Sequence, residues 1–422
     1  MSIPATATDQ NKDKDKDKDK EQSLLGQLFS PEYVRDPYPL LKQLRDYNPM
    51  FKPDGTNMWL VTRYRYVNEL LRDKRFGHDY NRRMFETHGE QVFADNSAYR
   101  LLQQSMLLKD PPDHKRIRNL AVKAFGAAKI NEMQPQIEAI VDELLDDLTT
   151  RSGGDLLHEF AFKLPVIVIC DMLGIPAADR PRFLEGSNIS GRLIDPTPLS
   201  EAELAEENSR AAESTEYFVA LCQERRENPQ DDLITALVQA ETDEGKLSRD
   251  ELVANIGLLF GAGHETTVNL IGNGLVALFS NPDQLAKIKA NPALIPGLVE
   301  ELLRFDSSVQ ITARTALEDV EFEGRQIKQG EEIMTLLGAA NHDPEQYTNP
   351  DSLDVERDKV KPVSFGGGIH TCIGAQLARI EAAVAFERLF ARLPDLTLTQ
   401  LDNPDWKATI TLRGLTQLPA TW

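Results

Sequence analysis

Phe365-Gly366-Gly367-Gly368-Ile369-His370-Thr371-Cys372-Ile373-Gly374 is the stretch whose reading decides the fold. One cysteine ends a glycine loop, directly before Ala375-Gln376-Leu377-Ala378-Arg379-Ile380-Glu381, which reads as the start of a helix. Loop amides and a helix N-terminus stabilise a thiolate placed there. Glycines let the backbone approach a flat, bulky partner. Both features suit a cysteine that holds haem iron. The spacing matches neither the dinucleotide fingerprint nor the P-loop pattern, and no second Cys or His stands at zinc spacing nearby.

Working outward, the composition excludes several classes. The net charge of -20 argues against nucleic acid and against an anionic membrane surface. The cysteines Cys170, Cys222 and Cys372 make no disulfide framework, so a reducing cytoplasm is the expected location. Residues 1–22 are set apart. From Asn11 to Lys20 the chain alternates Lys and Asp with no apolar residue, so a disordered tail is expected, followed by a single unit over 23–422. The tail has no apolar run and is neither a signal peptide nor a membrane anchor.

Helical periodicity dominates residues 130–150, 200–226, 248–280, 283–304 and 374–392. Met58 to Tyr64 reads as a strand, Tyr66 to Leu71 as a helix, and Asp319–Phe322 and Glu332–Leu337 as short strands. The expected class is mainly α with small β-sheets. Residues 77–105 and 186–200 have little periodicity and read as mobile loops.

The 248–280 helix opens with a capping box, Ser248-Arg249-Asp250-Glu251, and stops at Asn281-Pro282. It is apolar nearly all round and should be buried. Its middle breaks that pattern with Gly261-Ala262-Gly263-His264-Glu265-Thr266-Thr267, which signals function. A zinc-protease motif is excluded because position 268 is Val. Elsewhere, Asp110-Pro111-Pro112-Asp113-His114-Lys115-Arg116-Ile117-Arg118 starts a helix that puts His114 and Arg118 on one face. Haem propionates need such cationic partners at depth. Glu301-Leu302-Leu303-Arg304 forms an i,i+3 ion pair.

These segments resemble the cytochrome P-450 superfamily, from about Leu28 to the C-terminus. The resemblance implies a single-domain cytochrome P-450 fold and a haem-thiolate monooxygenase carrying haem b (iron protoporphyrin IX), with Cys372 as axial ligand. It implies propionate contacts from His114, Arg118, Arg314 and His370, and Phe365 packed near the sulfur. Ala262 and Gly263 would leave room for dioxygen, Thr266 would hydrogen-bond it, and Glu265 would relay protons. Glu301, Arg304 and Arg357 would form a structural triad. Substrate-facing candidates are Leu259, Phe260, Val309, Gln310, Ile311, Ile410 and Thr411. Their apolarity implies a hydrophobic small molecule, hydroxylated or epoxidised, and the Ala262–Asn269 run resembles the bacterial subgroup that oxidises macrolides and other polyketides; a terpenoid, steroid or fatty acid is the alternative.

No flavin or iron–sulfur motif is present, so NAD(P)H electrons are expected through a ferredoxin and ferredoxin reductase, docking near Lys115, Arg116, Lys123 and Lys361. A monomer is usual for the family. Two other classes stay open: a peroxide-using or non-oxygenating haem-thiolate enzyme, and a non-catalytic haem-binding protein.

Overall fold

A computed structural model describes residues 19–124, 126–185, 191–239 and 247–422. The helix Arg249–Ser280 is its axis. Ser248 caps it as expected: its side chain accepts from the Glu251 amide, and Glu251 returns the bond at 2.9 Å. Almost every residue from Glu251 to Leu278 is buried. Lys163–Leu173, Glu201–Glu227, Ile295–Phe305 and Ala375–Arg392 pack around this axis in the largest apolar cluster.

The strands are β1 Met50–Phe51, β2 Met58–Val61, β3 Phe76–Gly77, β4 Gly153–Asp155, β5 Ile311–Ala316, β6 Val320–Phe322, β7 Arg325–Ile327, β8 Glu332–Leu336, β9 Thr397–Leu398 and β10 Pro419–Thr421. The largest sheet runs β1-β2-β8-β5-β3, with β2 and β8 parallel. A second is β4-β10-β9, and β6 and β7 pair as a hairpin. Mainly α with small sheets is therefore correct. No helix among the described residues is long and apolar enough to cross a membrane.

Two expectations need correction, and two others fall partly outside the described residues. The helix expected over 283–304 is two, Pro282–Ala290 and Ile295–Phe305, because Pro292 and Pro296 cannot donate to a continuous ladder. Residues 77–105 are not an open loop. They form helices Tyr80–His88, Val92–Asp95 and Ser97–Gln104 around Tyr80, Met84, Phe93, Tyr99 and Leu102. In the other expected loop, residues 186–190 lie outside the described residues, and Gly191–Ile194 is a 3-10 turn. Of the tail, residues 1–18 lie outside the described residues, while 19–22 begin a helix over 19–27. Burial of Leu24 and Leu28 against Tyr33 and Leu41 holds that helix to the body.

Candidate active site

The cysteine loop is shaped by its glycines. Gly366 and Gly368 take φ of 68° and 66°, the left-handed region. A Cβ at Gly368 would also lie 2.3 Å from the Leu71 carbonyl oxygen, so no side chain fits there. The Cys372 amide donates to the Phe365 carbonyl at 2.9 Å, which closes the loop. The sulfur then sits before the first turn of Ala375–Arg392. Burial raises the Cys372 thiol above its ordinary value, opposed by the Gly374 amide, the Arg118 and Arg379 charges, and the Ala375 amide. A cation at the sulfur would favour the thiolate. The Arg379 guanidinium lies 4.6 Å from the Phe365 ring centroid and pairs with Glu300.

A basic cluster lies beside this loop. Helix Asp113–Ala124 brings His114 and Arg118, β5 brings Arg314, and the loop brings His370. The His114 and His370 ring centroids are 4.1 Å apart. His78, which sequence reasoning missed, stands edge-on to His370 at 4.6 Å. Nothing in the residues around His78 marks it; long-range packing places it. Arg118 donates to the Thr371 carbonyl. Both His114 Nε2 and His370 Nε2 are buried with no hydrogen-bond partner.

Burial, then the Arg118 charge, holds His114 down to about 4, with Asp110 opposing. Burial, then His114, Arg314 and Arg118, holds His370 down to about 2. Burial lowers Arg314 to about 10 against the pull of Asp110. The Asp110 carboxylate is itself occupied by the His78 and Asp79 amides at 2.8–3.0 Å. Buried donors without acceptors and cations without carboxylates make a receptor for anionic groups.

The central helix turns an irregular stretch to one side. Ala262 is exposed while its neighbours Phe260 and Gly261 are buried. The Thr266 hydroxyl donates to the Ala262 carbonyl at 2.9 Å. His264 is buried against Phe162 and Phe260, with its Nδ1 2.9 Å from the Phe260 carbonyl oxygen. That is a structural role, and no group of three or more His, Cys, Asp or Glu side chains that could hold a metal ion exists among the described residues. Glu265 Oε1 accepts from Lys407 Nζ at 3.1 Å and Oε2 from the Gly191 amide at 3.2 Å. Lys407 and Gly191 were not foreseen, because neither is near position 265 in sequence.

The triad residues meet. Arg304 makes two bonds of 2.7 Å to Glu301, and Arg357 Nε lies 3.1 Å from both Glu301 oxygens. Arg304 also donates to the carbonyls of Asn341, Pro350 and Ser352. Asn341 accepts from the Val363 amide at 2.9 Å, which carries the brace to the start of the cysteine loop.

The substrate candidates fare differently. Leu259 and Phe260 belong to the main apolar cluster, where Phe260 meets the Phe183 ring at 4.9 Å. Ile311 and Ile410 pack with Tyr33, Leu40 and Met334. All four are buried in apolar clusters, and Ile410 also lines a surface cleft. Gln310 is buried and donates to the Ser307 carbonyl. Val309 bridges to Leu412, and the Thr411 amide donates to buried Asp195, which also takes the Ile410 amide. Of the expected docking cations, Lys115 and Lys361 are exposed, but Arg116 is engaged by Glu251 and Asp113. The Lys123 side chain lies outside the described residues.

Comparison with known proteins gives the family. The family model for cytochrome P-450 matches residues 41–405. The chain is 41% identical to the vitamin D(3) 25-hydroxylase of Pseudonocardia autotrophica, over 93% of this chain and 96% of that one. It is 38% identical to the polyketide biosynthesis cytochrome P-450 PksS of Bacillus subtilis, covering 92% and 96%. A P-450 solved in complex with an acyl carrier protein bearing hexadec-9Z-enoic acid superposes with a TM-score of 0.85 at 36% identity, covering 93% and 100%. The chain belongs to the cytochrome P-450 family and is a haem-dependent monooxygenase.

Proposed function

We propose that Cys372 would ligate the iron of haem b, that His114, Arg118, Arg314 and His370 would hold its propionates, and that Glu265 and Thr266 would deliver protons beside it. The residues fit the group. A dianionic ligand would give His114 Nε2 and His370 Nε2 their missing partners, and a metal cation would favour the thiolate of Cys372. That convergence carries the reading. Haem supplies the redox chemistry that activates dioxygen, and thiolate ligation favours O–O cleavage. The chain supplies placement. Ala262 gives a small exposed surface on an otherwise packed helix, Thr266 presents a hydroxyl one turn on, and Glu265 carries a carboxylate able to pass a proton toward Thr266 Oγ1.

The substrate is a hydrophobic small molecule, hydroxylated or epoxidised. A polyketide or an acyl chain is the class supported by the names of two of the relatives and by the resemblance of the central motif, with a steroid as the alternative that a third relative's name supports. Electrons come from NAD(P)H through a separate ferredoxin and its reductase, in the cytoplasm. The paired Glu265 and Thr266 favour this route over direct peroxide use, which needs no proton delivery. The test is a binding screen read by the Soret shift, followed by oxygen consumption and product analysis. A panel of polyketides and fatty acyl compounds giving no shift and no substrate-dependent oxygen uptake would refute the substrate class.

Thr266→Ala should keep the haem spectrum but divert electrons to peroxide, lowering product per electron about tenfold. Unchanged coupling would remove Thr266 from the mechanism.

The histidines also set a pH dependence. The ordinary His value is 6.5, and His114 in the folded, haem-free chain is held down to about 4. Between these values the unfolded chain binds a proton that the folded chain does not. Stability present above about pH 6.5 is therefore lost as pH falls toward about 4. His370, held lower still, extends the loss. The urea midpoint of the haem-free chain should fall between about pH 7 and about pH 5, and His114→Gln should lessen that fall. Identical pH slopes for the two chains would contradict it.

A further inference from the structure

We infer that Lys407 is the positioning residue for the Glu265 carboxylate, a deepening that rests on the proton-delivery reading above. Glu265 stands on a helix that is otherwise packed into apolar core. A carboxylate in that setting needs a fixed cation, and Lys407 Nζ lies 3.1 Å from Oε1. The ammonium reaches one turn further, to Asn269 Oδ1 at 3.4 Å. It therefore bridges positions 265 and 269 on one helix face, the face that continues to Asn273.

That face is polar at depth. Asn269 and Asn273 are fully buried, and Asn269 Nδ2 and Asn273 Oδ1 have no partner. Unpaired polar atoms inside a core cost stability, so such a stripe marks function rather than packing. The C-terminal segment lies directly on it. Asn273 Nδ2 donates to the Arg413 carbonyl at 3.1 Å, and a Cβ at Gly414 would lie 2.0 Å from Asn269 Oδ1.

The lysine backbone is held in place. Its amide donates to the Gly414 carbonyl at 2.8 Å, and Trp406 bridges to Leu415. The Arg413 guanidinium covers the Trp406 ring at 3.5 Å and pairs with Asp306 at 2.8 Å. The lysine side chain remains partly exposed, beside a surface cleft lined by Tyr33, Val34 and Ile410. Solvent thus reaches the ammonium, and the ammonium reaches the carboxylate.

The second oxygen is also set. Glu265 Oε2 accepts the Gly191 amide, and Gly191 packs so tightly that a Cβ would lie 2.3 Å from Leu412 Cδ1. The carboxylate is clamped between the C-terminal segment and the Gly191–Ile194 turn. Lys407 holds one end of that clamp, and its charge fixes which way the acid beside Thr266 points.

The test compares Lys407→Met, Lys407→Arg and Glu265→Gln in the haem-loaded full chain. Product per electron is measured with a surrogate ferredoxin and reductase, and amide hydrogen exchange is followed at Gly191. Lys407→Met should lower coupling about tenfold with an unchanged haem spectrum, and should speed exchange at Gly191. Lys407→Arg should restore both to within about twofold, because it returns the cation. If Glu265→Gln uncouples the enzyme while Lys407→Met does not, the positioning role falls and the proton-delivery reading stands. If Lys407→Arg is as impaired as Lys407→Met, the lysine acts through packing and the role falls as well. If Glu265→Gln leaves coupling intact, the proton-delivery reading itself fails.

Discussion

Cys372→Ala should abolish the red-shifted Soret band of the reduced, carbon monoxide-bound protein and lower turnover at least about a thousandfold. The loss is chemical rather than structural. The bond that closes the loop runs from the residue 372 amide to the Phe365 carbonyl, and alanine keeps it. The left-handed turns at Gly366 and Gly368 are untouched. Amides of Gly374 and Ala375 and the charges of Arg118 and Arg379 would face a methyl group in place of a sulfur. The other cysteines are controls. Cys170 and Cys222 are buried, and burial pushes the Cys170 thiol up to about 12. Alanine at 170 or 222 should leave the band in place. A thiolate-type band surviving in Cys372→Ala would end the assignment.

Arg304→Met should produce the second large effect, a chain that fails to retain haem. Arg304 and Glu301 are both fully buried, at 0% exposure. Removing one partner of a buried ion pair costs up to about 3–5 kcal/mol. Arg357 Nε stays on the same carboxylate and limits the loss, while its other nitrogens hold the Thr348 and Asn349 carbonyls. Three carbonyls also lose the Arg304 donor, and one belongs to Asn341, the residue that anchors Val363. The damage therefore travels to the cysteine loop. The melting temperature should fall by roughly 5–10 °C, with haem content well below stoichiometric. Full haem loading and a melting temperature within about 1 °C of the parent would show that the triad does not brace the loop.

Local chemistry explains how much was legible beforehand. The capping box at Ser248, the left-handed glycines before Cys372 and the shared face of His114 and Arg118 all follow from residues within one or two helical turns. Prolines explain the one helix that was misread, since Pro292 and Pro296 interrupt a periodic apolar pattern that otherwise continues across them. Residues 77–105 were misread for a different reason. Three short helices give too little periodicity to register, yet they share one apolar cluster.

Read alone, the sequence determined the mainly α class, the cysteine loop, the basic residues around it and the broken centre of the buried helix, because each is encoded by neighbours along the chain. Only the tertiary structure decided that Lys407 and Gly191 clamp Glu265, that His78 stands against His370, and which apolar clusters Phe260, Ile311 and Ile410 join. Those facts depend on contacts between residues tens to hundreds of positions apart. Such contacts arise when apolar burial brings distant segments together, and no periodicity along the chain records them.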